Sequence, residues 1–276
     1  MRIFNLQKLI ITIFMLGVGF LFLFPFFWMV SASLKPEIEV FNFPIQWLPS
    51  TWEFVSYNYS QVWIENPFLL YYRNSIIVTV ATTITSVTVS CLAAYGFSKI
   101  KFKGRDFIFL ILLAIYMVPH QATLVPQFIM FRYMNLYDTL TGLVILNSFS
   151  VLGTFLLRQA FLGVNNEYLE SARMDGAGHF RIFLSIMLPL VRPVVATYAI
   201  LRFIWTWNDY QNPFIFLRSE HLFTIQLGVQ SFGDEFGKYY AIAMAGAVSA
   251  ILPLLIVFII GQKHVIAGIS SGGVKG

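Results

Sequence analysis

The chain has 276 residues, 58% of them hydrophobic and 11% charged, with a formal net charge of +5. A composition this apolar excludes a soluble domain of that length and points to a protein that crosses a membrane several times. One cysteine, Cys91, and four scattered histidines exclude a disulfide framework and a metal site built on clustered ligands.

A helix needs about 20 apolar residues to cross the hydrocarbon core. After a short basic start at residues 1–8, a run of 26 uncharged residues lies between Lys8 and Lys35 and predicts a first span at 9–30. This run is longer than the roughly 7–15 residues of a signal-peptide core, and no small-residue cleavage site follows, so it reads as a retained anchor. Residues 31–74 read as an outside loop, with Pro36, Pro44, Pro49 and Pro67 breaking regular helix and Trp47, Trp52 and Trp63 suited to the membrane interface. That loop either lies on the outer surface or meets an external binding protein.

The second span, 75–97, carries Thr79, Thr82, Thr83, Thr85, Ser86, Thr88 and Ser90, which suit close packing against other helices. The turn KIKFKGRD follows, with Lys99, Lys101, Lys103 and Arg105. It is too short for a nucleic-acid site and reads as a topology determinant beside anionic lipid. The third span, 107–131, contains Pro119 and Pro126 around His120 and Gln121. The His-Gln pair either lines a water-filled path or sits at the outer mouth of the helix. The fourth span is 140–161.

A polar stretch, ESARMDGAGHFRIFLSIMLP, then runs from Glu170 to Pro189 between apolar segments. Asn165 and Asn166 can cap a helix start, Glu167 and Glu170 suit the positive end of its dipole, and Gly176 and Gly178 can end it. The prediction is a short helix, a glycine turn, a second short helix and a span entered at Pro189.

The fifth span, 188–208, contains Arg192, close enough to the end to snorkel, and Arg202, which is not. Helical spacing places Arg202, Trp205, Thr206 and Asp209 on one stripe. An arginine, an indole and a carboxylate suit a polyhydroxylated or anionic solute in a translocation path, and equally suit an ion pair that holds two helices together. The loop 211–238 lies outside. The sixth span, 239–260, carries small residues at four-residue spacing, Ala243 with Ala247 and Gly246 with Ala250, and a glycine-rich tail follows.

With the N-terminus in the cytoplasm, 11 of the 18 Lys and Arg residues fall on the inside, 5 outside and 2 in the fifth span. The positive-inside rule therefore places both termini and the Glu170–Pro189 stretch in the cytoplasm. No phosphate loop, nucleophile elbow or paired carboxylates occur, so the chain is not expected to be an enzyme and any energy source must come from another chain.

The stretch from Glu170 resembles the cytoplasmic signature of bacterial ABC importer permeases: Glu-Ala-Ala, three residues, Gly, nine residues, Ile, one residue, Leu-Pro. Glu170, Ser171 and Ala172 stand for the triplet, with Ser for the middle Ala, and Gly176, Ile186, Leu188 and Pro189 fall at the family spacing. Together with WNDYQNPFIFL at 207–217 and the ending QKHVIAGISSGGVKG, the chain resembles the shorter permease subunit of the carbohydrate-uptake, maltose-type branch.

The resemblance implies an all-α membrane protein, a single permease domain over 1–276, with six transmembrane helices and a coupling helix between the fourth and fifth. It implies a bacterial inner-membrane location, a second permease subunit forming a heterodimer, two cytoplasmic ATPase subunits that bind ATP and Mg, and an extracytoplasmic solute-binding protein. Lipid surrounds the spans, and neither nucleic acid nor a cofactor in this chain is expected. Glu170, Ser171, Ala172, Asp175, Gly176, Ile186, Leu188 and Pro189 would couple to the ATPase, and the tail at 272–276 would approach it. His120, Arg202, Trp205 and Asp209 would line the substrate path. The function implied is ATP-driven import of a di- or oligosaccharide by alternating access. A glycerol phosphate or other small polar solute is the alternative, with ion-coupled secondary transport behind it; secondary transporters show inverted repeats that this sequence lacks.

Overall fold

The computed structural model describes the backbone of residues 6–232 and 239–273 and the side chains of residues 7–232 and 239–263. Among the described residues there is no strand. The helices are α1 (Leu6–Ser33), α2 (Glu53–Ser60), α3 (Phe68–Lys99), α4 (Arg105–Tyr116), α5 (His120–Tyr133), α6 (Leu140–Leu146) and α7 (Val151–Leu162). They continue as α8 (Glu167–Met174), α9 (His179–Ile182), α10 (Leu188–Leu190), α11 (Arg192–Trp207), α12 (Gln211–Phe216), α13 (Ile225–Ser231) and α14 (Tyr240–Gly273).

Three helices are each long and apolar enough to cross a membrane: α1, α3 and α14. Three pairs pass the same test together but are bent, α4 with α5 by 98°, α6 with α7 by 48°, and the stretch His179–Leu190 with α11 by 81°. Counting each bent pair as one crossing gives six. The expected outside loop at 31–74 holds a helix of its own, α2, which runs on into a π-turn at Gln61–Glu65. Pro49 and Pro67 bracket it, and no proline lies between them. At the other end α14 does not stop near residue 260; it continues to Gly273 through the first part of the glycine-rich tail, whose last residues lie outside the described ones.

Two compact units divide the chain, residues 1–69 with 228–252, and residues 70–227 with 253–276. In the first, the carboxylate of Glu37 accepts the backbone N–H groups of Tyr240 and Ala241, both at 2.8 Å, and so caps the start of α14 from far away in sequence. Asn58 Nδ2 donates to the carbonyls of Ser33 and Lys35 at 3.0 and 2.9 Å, and Lys35 Nζ donates to that of Gln46. The small residues of α14 admit a close neighbour, since a Cβ on Gly246 would lie 2.9 Å from the Phe232 ring.

In the second unit α3 carries most of its polar residues inward, Thr88 being exposed. Asn74, Ser75, Thr79, Thr82, Ser86 and Ser90 are buried, whereas Ile76, Ile77, Val80, Ile84, Val89 and Leu92 are exposed. This arrangement suits a helix whose outer face meets hydrocarbon and whose inner face meets other helices. One apolar cluster of this unit gathers Val78, Phe131, Leu143, Phe216, Leu217 and Leu227. Another gathers Cys91, Ala94, Tyr95, Leu157, Phe161, Ile182, Phe183, Met187 and Tyr198 together with Leu169 and Ala172 of α8.

Asp138 closes the second unit at the other end. Its Oδ1 accepts the N–H groups of Arg218 and Ser219 at 2.9 Å, and its Oδ2 accepts the Ser219 hydroxyl at 2.6 Å. Burial works against its ionisation, but these donors more than offset that, and the carboxyl titrates below the ordinary aspartate range. The folded value lies below the unfolded value of about 3.9, so the stabilisation is complete above about pH 5 and is lost as pH falls through the folded value. Asp138→Asn is expected to flatten the acid limb of the stability profile and to cost about 1–2 kcal/mol at neutral pH, read by thermal unfolding in detergent across that range.

Candidate functional site

The stretch that follows α7 is held in place before its first helix begins. Lys99, at the end of α3, is buried and donates from Nζ to the Val164 carbonyl and to Asn166 Oδ1, both at 2.7 Å. Asn166 occupies the cap position of α8, yet its side-chain oxygen serves Lys99 and caps nothing. Asn165 Oδ1 instead accepts the Glu167 N–H at 3.1 Å. Only one of the two expected asparagines therefore turns the chain into α8, and the other ties α8 to α3.

On α8, Leu169 and Ala172 are one turn apart and only 6% and 7% exposed, packed into the cluster with Tyr95, Phe161, Ile182 and Phe183. The opposite face is open: Glu170, Ser171, Arg173 and Asp175 are exposed, Tyr168 also, and Met174 is 88% exposed. Glu167 and Glu170 lie in the first turn and Arg173 in the last, matching the helix dipole. Gly176 ends α8 in the left-handed conformation with φ of 78°. Its N–H reaches the Arg173 carbonyl at 2.9 Å, and the Ala177 N–H reaches that of Ala172 at 3.0 Å, the paired bonds of a Schellman end. Gly178 has a different role from the one expected. It is extended, with φ of −71°, and stands before α9 as its cap.

His179 locks this turn. Arg173 Nη2 lies 3.0 Å from His179 Nε2, and a guanidinium only donates, so Nε2 accepts and the ring hydrogen resides on Nδ1. Nδ1 then donates to Tyr95 Oη at 3.3 Å, whose own hydrogen is free for the His179 carbonyl at the same distance. A π-turn at Phe183–Met187 leads into α10, Ile186 and Leu188 pack half-buried against the core, and Pro189 is exposed. The chain then bends by 81° into α11. Pro193, lacking an N–H, cannot continue the helical bonding across the bend.

The signature residues thus separate by physical role. Ala172, Gly176, Ile186 and Leu188 shape the segment. Glu170, Ser171 and Asp175 point outward and make no side-chain hydrogen bond or ion pair among the described residues.

Of the expected stripe, Arg202, Trp205 and Thr206 lie on α11 at helical spacing, and Asp209 falls beyond its end. Arg202 turns to the fourth span, where Nη2 donates to the carbonyl of Asn147 and, at 3.1 Å, to Asn147 Oδ1. Asp209 lies beyond the end of α11, accepting the Asn212 N–H at 3.1 Å and Asn212 Nδ2 at 2.7 Å. His120, exposed at the break between α4 and α5, brings Nε2 to 3.3 Å from Asn212 Oδ1. Because Asn212 Nδ2 faces Asp209, its Oδ1 is the acceptor and His120 the donor. Trp205 is 42% exposed, and Asn208 is exposed beside it. Asn147 and Asn212 are the partners that sequence reasoning missed. Asn147 is an amide within an apolar span, the signal that marks it, whereas Asn212 sits among the polar residues Asn208, Asp209 and Gln211 and nothing local singles it out.

The family described as binding-protein-dependent transport system inner membrane component matches residues 86–271. The arabinooligosaccharides transport system permease protein AraQ of Bacillus subtilis (strain 168) is 35% identical over 99% of this chain and 98% of its own length. The maltodextrin transport system permease protein MdxG of the same organism is 34% identical over 79% and 80%. The crystal structure of a bacterial ABC transporter involved in the import of the acidic polysaccharide alginate superposes with a TM-score of 0.82. It is 26% identical and covers 95% of this chain and 98% of that one.

Proposed function

Because the chain belongs to the family of binding-protein-dependent transport system inner membrane components, we propose that it imports an oligosaccharide as one of two permease subunits driven by separate ATPase subunits. In this reading both termini and α8 are cytoplasmic, α8 docks in a groove of the ATPase, and ATP with Mg is bound there and not in this chain. A solute-binding protein delivers the sugar from outside, and closure of the ATPase dimer moves α8 and, through it, the spans.

The observation that carries the proposal is α8 itself. Its inner edge is fixed in the core through Leu169 and Ala172, and its outer face offers Met174, Tyr168 and unpartnered polar groups. A large thioether left bare on a short polar helix is suited to a partner's pocket. Ser171, where the family has a small apolar residue, is exposed and small enough for a close dock. The solute path is proposed to run past His120, Trp205 and Asp209, with Arg202 set behind them. Amides, an imidazole, an indole and one carboxylate suit hydroxyl-rich neutral solutes. The one arginine of the expected stripe gives its Nη2 to Asn147.

The test is co-purification of the chain with its candidate permease and ATPase partners, scored by ATP hydrolysis. The wild-type complex is expected to retain an ATPase that the loaded binding protein stimulates. Absence of any associated ATPase under every pairing would overturn the proposal.

A further inference from the structure

The fourth span breaks in its middle. α6 ends at Leu146, α7 starts at Val151, and the two are bent by 48°. A break in a span releases carbonyls that lipid cannot satisfy. Four of them find donors within the protein. The Asn147 N–H and amide serve Leu143, the Ser148 hydroxyl serves Val144 at 2.6 Å, and the Ser148 N–H serves Ile145 at 3.1 Å. The Asn147 carbonyl is served by Arg202, from another helix. One turn earlier on α11, the hydroxyl end of Tyr198 lies against Gly153 of α7, where a Cβ would come within 2.1 Å of the ring, and its hydroxyl meets Ser86 of α3 at 2.9 Å.

These two contacts join particular helices. α7 leads directly into the coupling segment and α11 leads directly out of it. Tyr198 on Gly153 fastens the two arms directly, and one turn further on Arg202 holds Asn147, the residue that caps α6 on the far side of the break. We infer that Arg202 is a positioning residue for transport: it clasps the break in the fourth span so that α7 and α11 follow α8 as one piece. In this role it acts on the fourth span and not on the solute. Its Nη2 is engaged on both oxygens of Asn147, and its Nε is buried without a protein acceptor among the described residues. The partner in direct contact is a neutral amide and carbonyl. The inference rests on the transport reading above.

The experiment uses the whole complex in proteoliposomes, with its solute-binding protein and whichever of maltotriose and arabinotriose that protein binds. Uptake and ATP hydrolysis are measured in the same vesicles for wild type, Arg202→Met, Arg202→Gln and Arg202→Lys. Arg202→Met is expected to hydrolyse ATP at half the wild-type rate or better while sugar imported per ATP falls at least tenfold, with KM for the loaded binding protein unchanged. Arg202→Lys, whose ammonium can still donate to the carbonyl, is expected to recover coupling to within about threefold of wild type. Should Arg202→Met fail to assemble, Arg202→Gln decides: a reduced ratio supports the clasp, and a wild-type ratio overturns it. A raised KM with sugar per ATP unchanged would also overturn it, because that is the signature of a lost solute contact. Wild-type vesicles that show no stimulated hydrolysis would strike the transport reading instead of the clasp.

Discussion

Gly153→Ala is expected to lose most of the folded protein, although it adds one methyl group. The added carbon would stand 2.1 Å from Cζ, 2.3 Å from the hydroxyl oxygen and 2.6 Å from Cε2 of Tyr198. Separations that short are relieved only by moving a whole ring or a whole helix. Tyr198 is fully buried and hydrogen-bonded to Ser86, so its ring has nowhere to turn. Either α7 and α11 separate or the tyrosine leaves Ser86 without its partner. Overpacking together with one orphaned buried hydroxyl costs on the order of 3 kcal/mol. The measurement is the yield and melting temperature of the detergent-purified protein. The mechanism has its own check, because Tyr198→Leu shortens the opposing side chain. Gly153→Ala with Tyr198→Leu is expected to recover a good part of the lost stability over Gly153→Ala alone. If the second change recovers nothing, the collision is not the cause.

Met174→Asp is expected to remove the ATPase from the complex by tenfold or more in co-purification and to leave the melting temperature of the permease unchanged. The side chain is 88% exposed and contributes nothing to the core, so its replacement has no folding cost to impose. In the proposed dock the same position would enter a groove, where an unpaired carboxylate is heavily penalised. Leu169→Asp is the contrasting variant. It lies on the same helix but is only 6% exposed, among Phe161, Ile182 and Phe183, and it is expected to fail at folding before any partner is offered. An equal loss of stability in both variants would show that α8 is a packing element on both faces.

Much of the architecture is legible in the residues because its causes are local. Charge-free runs mark the crossings, and a glycine with nothing else to recommend it, Gly176, marks the left-handed end of α8. The bends are legible only in part. Pro119 stands at the right-angled break between α4 and α5, and Pro193 stands at the one before α11. The break at Asn147–Ser150 has neither proline nor glycine. It depends on Ser150, whose hydroxyl accepts the Gly153 N–H at 3.0 Å and restarts the helix, and on an arginine 55 residues away. No window of sequence contains both.

The stripe of Arg202, Trp205, Thr206 and Asp209 requires an uninterrupted helix, and α11 ends at Trp207. Past that point Asp209 follows the geometry of the turn into α12 and joins His120 through Asn212. Periodicity could place these residues near one another, but it could not say which of them would face the same way. The helix α2 inside the outer loop is hidden for a simpler reason: the prolines that exclude helix stand on either side of it and not within it.

The buried ammonium of Lys99 belongs to two moments in the life of the chain. While the nascent polypeptide is being inserted, no folded neighbour exists, and Lys99 is one of the free charges that hold the turn after α3 on its own side of the bilayer in the proposed orientation. Once α7 has followed, the same charge is withdrawn from solvent to the Val164 carbonyl and Asn166. In the proposed orientation one charge would serve both the placing of the helix and the tie that fixes α8, and the order of synthesis, α3 before α7 before α8, is the order in which the two uses become available.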